Sequence, residues 1–159
     1  MIDATTQWEI VGRIALAAIL GGLIGLEREY RAYPAGVRTM ALVCMGSTLF
    51  ADTSGLFGGD SSRVTAQIVS GIGFLGAGLI FREGYTVKGV TTAATIWTVA
   101  AVGVAIGAQA YIVAVFASFF SIILLELRLV TKNIHPPNGQ DEDLHDHRGD
   151  PEDSATEQD

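Results

Sequence analysis

Apolar residues in this chain fall in long, nearly unbroken runs. They do not alternate as in a half-buried strand, nor form the single stripe of a surface helix. Five runs approach the roughly 20 residues needed to cross about 30 Å of hydrocarbon. They cover residues 9–26, 39–57, 64–81, 91–107 and 110–129. The first holds one cation, Arg13; the second is weakened near its end by Asp52 and Ser54; the third and fourth carry no charge. The fifth is charged only near its end, at Glu126 and Arg128. No amphipathic helix is left over to cover such segments in water. The pattern predicts an all-α, polytopic membrane bundle of five transmembrane helices.

Basic residues between the runs set the orientation. Arg28, Arg31 and Arg38 lie in the first connection, Arg82 and Lys88 in the third, and Arg128 and Lys132 after the fifth run. The opposite side has Arg63 in the second connection and Arg13 near the N-terminus. The bias puts the N-terminus outside and the C-terminus in the cytoplasm, in a multi-pass protein of the cytoplasmic membrane. The first seven residues lack the basic stretch that opens a signal peptide, so the first span is expected to remain as an anchor.

Small residues indicate close helix packing, which drives association in lipid. Ala17, Gly21 and Gly25 recur every four residues in the first run, and Gly103 and Gly107 do so in the fourth. The third run concentrates Gly71, Gly73, Gly76 and Gly78 within eight residues. That density fits either tight crossing by neighbours or a broken helix, which is one way of building an ion or substrate site. The chain also suggests a parallel repeat. Leu23-Ile24, Arg28-Glu29-Tyr30 and Gly36-Val37 are echoed by Leu79-Ile80, Arg82-Glu83-Gly84-Tyr85 and Gly89-Val90. Runs one and two would then correspond to runs three and four.

Composition sharpens the division of the chain. Of 159 residues 49% are hydrophobic and 19 are glycine, yet the formal net charge is −7. Nine of the seventeen acids fall within residues 140–159, so the charge belongs to the C-terminal end. Residues 1–133 are expected to be the membrane domain, and 134–159 a disordered acidic cytoplasmic tail. The balance excludes a basic nucleic-acid binder. Cys44, the single cysteine, excludes a disulfide scaffold and a cysteine-rich metal site.

Chemistry-bearing residues are few. Gln67 and Ser70 share a face of the third run, beside its glycines, where they serve interhelical hydrogen bonds or line a site. Glu27, Arg28, Glu29, Arg31 and Arg38 gather at the inner mouth with Arg82, Glu83 and Lys88. They form a neutral structural network, or bind a hard cation through carboxylates or an anion through arginines. Thr39, Thr91 and Thr92 open the helices that run back outward. No nucleophile–base pair and no phosphate loop after a strand is present, so the chain is expected not to be an enzyme and to hold no cofactor.

Four motifs carry a family resemblance: GLIGLEREYR at 22–31, PAGVRTMALV at 34–43, SRVTAQIVSGIGFLGAGLIFREG at 62–84 and VKGVTTAATIW at 87–97. In order and spacing they resemble the MgtC/SapB membrane family over roughly residues 10–130. The resemblance implies a five-helix membrane domain and a role in adaptation to low magnesium, with Mg²⁺ as signal or ligand. It further implies a regulator that contacts a membrane complex such as a rotary ATP synthase. Longer members add a cytoplasmic domain, so this chain reads as a short form. Motif positions carried over are Glu27, Arg28, Arg38, Thr39, Gln67, Ser70, Gly71, Arg82, Glu83, Thr91, Thr92 and Trp97. Two functions remain: a non-enzymatic regulator acting by helix–helix contact, and a homo-oligomeric (dimeric) channel or carrier for Mg²⁺ or another ion.

Overall fold

The computed structural model of the chain describes residues 3–56 and 60–127. The expected tail, and the expected domain boundary at residue 133, lie outside these. A compact unit covers Met1–Glu126. Its order is α1 (Ala4–Tyr30), α2 (Val37–Leu56), α3 (Ser61–Leu79), β1 (Phe81–Glu83), β2 (Thr86–Lys88), α4 (Val90–Gly107) and α5 (Tyr111–Glu126).

Local signals fix the helix ends. Asp3 caps α1, its carboxylate accepting from the Thr6 amide at 3.1 Å. Asp60 caps α3 in the same way through the Ser62 amide at 3.0 Å. These carboxylates answer amides that have no partner inside the helix. At the other end of α1, Ala32 takes φ 58°. Its amide donates to the Glu29 carbonyl, and the Tyr33 amide donates to the Arg28 carbonyl. This is a Schellman stop built on alanine where glycine is usual. Gln109, at φ 62°, ends α4 the same way, with Ala110 donating to the Ala105 carbonyl. The start of α2 is capped from α1: Glu29 Oε2 accepts from the Val37 amide at 2.9 Å.

The core is a three-helix stack with α2 in the middle. A Cβ added at Gly21 would stand 2.7 Å from the Met40 carbonyl, and one at Gly25 2.6 Å from Val37 Cα. On the other flank a Cβ at Gly103 would lie 2.4 Å from the Cys44 carbonyl, and one at Gly107 2.8 Å from the Thr48 carbonyl. These glycines let the backbones of α1 and α4 approach α2 directly. The approach brings Thr48 Oγ1 to 2.8 Å from the Gly103 carbonyl, to which it donates. Ile24, Met40, Cys44, Val99 and Ile106 fill the space between.

The third helix departs from both sequence expectations for it. It is one continuous helix, not a broken one. Of its four clustered glycines only Gly76 meets a neighbour, with Ala93 Cβ 3.5 Å from an added Cβ. An added Cβ at Gly71, Gly73 or Gly78 would meet nothing within 4 Å, so among the described residues no neighbour crosses them tightly. The physical reason is placement. Helix α3 leans on α4 at Gly76, with Ile72 and Leu79 half-buried against the core, and leaves the side that carries Phe74 open, Phe74 being 81% exposed.

The third connection is a hairpin, where the sequence suggested a plain loop. Phe81 pairs with Lys88, Arg82 with Val87 and Glu83 with Thr86. Gly84 supplies φ +60° at the two-residue turn. Gly89, at φ +88°, closes its base; a Cβ there would sit 1.9 Å from the Leu79 carbonyl. The hairpin also separates the two halves of the suggested repeat. Val37 and Val90 do each open a helix directly after a glycine. Arg28, however, lies inside α1 and is buried, whereas Arg82 lies on a strand and is exposed.

Two helices, Ala4–Tyr30 and Val90–Gly107, are long and apolar enough to cross a membrane; Tyr111–Glu126 is apolar but shorter. Large apolar side chains lie exposed across the surface, among them Trp8, Phe74, Ile112 and Leu124. A surface this apolar marks contact with lipid or protein.

Candidate functional site

Three polar or open features stand out, one at each end of the bundle and one along its side. At the end where α1 stops, Glu27 and Arg28 are buried together. Arg28 Nε lies 2.5 Å from Glu27 Oε2 and Nη2 lies 3.0 Å from Oε1, a two-pronged pair. The guanidinium stands 3.9 Å over the Tyr33 ring, which the Schellman stop turns back beneath it. Arg31 approaches Glu27 Oε1 at 2.7 Å and reaches Glu126 Oε2 at 2.5 Å. Two cations and two carboxylates thus run in a neutral chain from α1 to the last residue of α5. With two arginines on it, Glu27 is poorly disposed to ligate a hard cation. Among the described residues no three His, Cys, Asp or Glu side chains gather to hold a metal.

At the opposite end Arg13 ties three helices together. Its Nη1 donates to Asp52 Oδ1 of α2 at 2.6 Å and its Nε to the Tyr111 hydroxyl of α5 at 3.0 Å. Its Nη2 donates to Glu9 at 3.2 Å. The Arg13 and Asp52 side chains are 9% and 7% exposed. The sequence reading passed over this pair, treating Asp52 only as a flaw in the second run. The available signal was depth: two antiparallel helices carry opposite charges near the same end, and a charge buried in lipid needs a partner.

Along the side, α2 and α3 enclose an apolar cleft of about 480 Å³. Leu42, Val43, Phe50, Ile68 and Leu75 form most of its wall, and Gly46 and Gly71 deepen it. Ser47 and Gln67 are its polar residues. A second apolar pocket, lined by Thr39, Phe74, Gly78 and Ile96, continues it toward the Arg28 end, sharing Val43 and Leu75.

The motif residues therefore scatter over several places. Glu27 and Arg28 sit in the charge chain, Gln67 and Gly71 in the cleft, and Thr39 at its continuation. Ser70 is exposed on α3 but does not line the cleft. Arg38 is exposed in the first turn of α2. Arg82 is exposed on β1, its Nε donating to the Gly84 carbonyl at 2.8 Å. Glu83 pairs through its backbone on the same strand. Thr92 is buried against the core, Thr91 is exposed and accepts from Thr95 through its carbonyl, and Trp97 is 52% exposed. Ala17, Gly21, Gly25, Gly103 and Gly107 lie at helix contacts; Gly71, Gly73 and Gly78 do not.

A model of the MgtC family matches residues 14–134, which takes in all five helices from the third turn of α1 onward. The chain belongs to the MgtC family. It is 56% identical over 111 residues to Protein MgtC of Brucella abortus, covering 69% of this chain and 47% of that protein. It is 50% identical over 108 residues to Protein MgtC of Salmonella typhimurium, covering 67% and 47%. It is 42% identical over 143 residues to an Escherichia coli protein named "Putative magnesium transporter YhiD", covering 80% and 66%. The chain spans about half the length of the MgtC relatives it matches. No solved structure matches it.

Proposed function

We propose that this MgtC-family chain is a five-span protein of the cytoplasmic membrane that regulates a partner membrane complex in the cell's adaptation to low magnesium. It acts by helix–helix contact and has no enzymatic activity. The Arg28 end faces the cytoplasm and the Arg13 end faces out. The observation that carries this reading is the open face of α3. A membrane helix that turns Gly71 and Gly78 to one face, where an added Cβ meets nothing within 4 Å, beside an apolar cleft with Gly46 on its far wall, suits a partner's backbone at close range. The charges inside the bundle are paired with one another, so they leave little for a permeating ion. Rotary ATP synthase is a partner that the family resemblance suggests.

Capture from membranes of magnesium-limited cells tests the reading. Gly71→Leu, which puts a bulky side chain into the cleft at a position where an added Cβ meets nothing within 4 Å, should insert normally and lose the partner. Full capture by an inserted Gly71→Leu protein would refute the contact face.

A second reading is favoured by one feature, Gln67 in the cleft, together with the transporter name borne by the Escherichia coli relative. In this reading the chain forms a homodimer that conducts Mg²⁺ past Gln67. Mg²⁺ flux into sealed liposomes that vanishes in Gln67→Leu would establish it. An absence of flux from inserted protein would remove it.

A further inference from the structure

Among the described residues, the hydrophobic core takes none from the hairpin over residues 81–88. Phe81, Arg82, Thr86, Val87 and Lys88 are exposed, and Tyr85 at the turn fully so. An isolated two-stranded hairpin is at best marginally stable in water, so a second surface is expected to cover this one. Its register says which surface. Phe81 lies opposite Lys88, and Arg82 lies opposite Val87. Neighbouring cross-strand pairs point to opposite faces of a hairpin, so Phe81 and Lys88 stand together on one face and Arg82 and Val87 on the other. Such a pairing suits the headgroup layer, where apolar groups dip toward the acyl chains and cationic heads snorkel to phosphate.

The hairpin's placement agrees. It joins the end of α3 to the start of α4 and is held at its base by Gly89, whose lack of a Cβ admits the Leu79 carbonyl. Thr39 and Leu79 border the same pocket, so exposed Arg38 stands at this end of the bundle too. In the sequence the hairpin holds Arg82, Lys88 and Glu83, and Arg38 adds a further positive charge.

We propose that this hairpin docks on the anionic phospholipid headgroups of the cytoplasmic leaflet, with Arg82 and Lys88 reading charge and Phe81, Tyr85 and Val87 setting depth. The proposal rests on the membrane orientation given above. Each basic residue near an anionic leaflet strengthens binding about fivefold.

The test uses the full chain in vesicles, with Tyr85→Trp in a Trp8→Phe, Trp97→Phe background. Quenching of the new indole is read with brominated phosphatidylglycerol or brominated phosphatidylcholine. Phosphatidylglycerol should quench more strongly. Arg82→Gln and Lys88→Gln should each raise the fraction of this lipid needed for half-quenching about fivefold, while Arg82→Lys keeps it near the parent value. Equal quenching by both lipids would overturn the proposal, as would unchanged behaviour in the Gln variants. Loss of the preference on adding inorganic phosphate would also overturn it, because the hairpin would then be reading a free anion. Resistance of the protein to alkaline extraction keeps the two claims apart. Inserted protein without lipid preference defeats the hairpin assignment alone, and protein that never inserts defeats the membrane reading as well.

Discussion

Two glycine-to-alanine changes should move stability in opposite directions. A Cβ at Gly103 would stand 2.4 Å from the Cys44 carbonyl oxygen and 2.8 Å from Ser47 Cβ. Relief requires α2 and α4 to separate by about 1 Å at their crossing, an overpacking that costs about 1–3 kcal/mol. Separation also stretches the Thr48–Gly103 hydrogen bond, now 2.8 Å, a loss of about 0.6 kcal/mol for such a bond between membrane helices. Alanine's better helix propensity returns up to about 1 kcal/mol. Gly103→Ala should therefore destabilise by about 1–3 kcal/mol. At Gly71 nothing lies within 4 Å, so only the propensity gain remains. Gly71→Ala should stabilise the isolated protein by up to about 1 kcal/mol. Thermal unfolding in mild detergent should separate the two midpoints by roughly 5–10 °C. Equal midpoints, or a more stable Gly103→Ala, would refute the close approach of α4 to α2 at Gly103.

Other changes probe the ends of the bundle. Asp52→Leu leaves Arg13 buried with only Glu9 and Tyr111, and should cost about 3–5 kcal/mol in the same unfolding assay. Arg13→Leu combined with Asp52→Leu should recover most of that loss. Gly89→Ala places a Cβ 1.9 Å from a backbone carbonyl at positive φ, so it should prevent the hairpin from closing; solvent exchange at the Lys88 amide, which faces Phe81 in a hydrogen-bonded pair, would report the opening. The Asp3 and Asp60 carboxyls are held below their ordinary value of 3.8 by the Thr6 and Ser62 side chains first, then by the amides of the same residues. A lowered folded-state value gives stabilisation that is complete above that ordinary value and is lost as pH falls through the lowered one. The Thr6 and Ser62 amide resonances should therefore shift together with fraying of the first turns of α1 and α3 only below about pH 4. Unchanged resonances down to pH 2 would contradict the capping.

The helices were legible in the sequence because long apolar runs leave few other solutions, and the recurring glycines of α1 and α4 stand where α2 comes close. The role of the α3 glycines was not legible. Glycine lowers the steric barrier to approach whether or not a neighbour comes, so Gly21 and Gly71 look alike until the neighbour is located. The hairpin was hidden because three-residue strands give no period to detect, and only Gly84 hinted at the turn. The Arg13–Asp52 pair was hidden for a different reason. Each residue looked like a defect in its own run, and only matching their depths across two runs makes them partners. The Glu27–Arg28 pair was read as one of several options at the inner mouth, and its burial beneath Tyr33 depended on the chain reversal at Ala32.

The open face of α3 is best tested by photo-crosslinking inside the native membrane. A photoreactive amino acid at Phe74, the most exposed large apolar side chain of α3, would be activated in magnesium-limited cells. The helix-contact reading predicts an adduct with a distinct membrane protein, present in the parent background and lost when Gly71→Leu is added. Adducts only with lipid or with a second copy of the chain would contradict it.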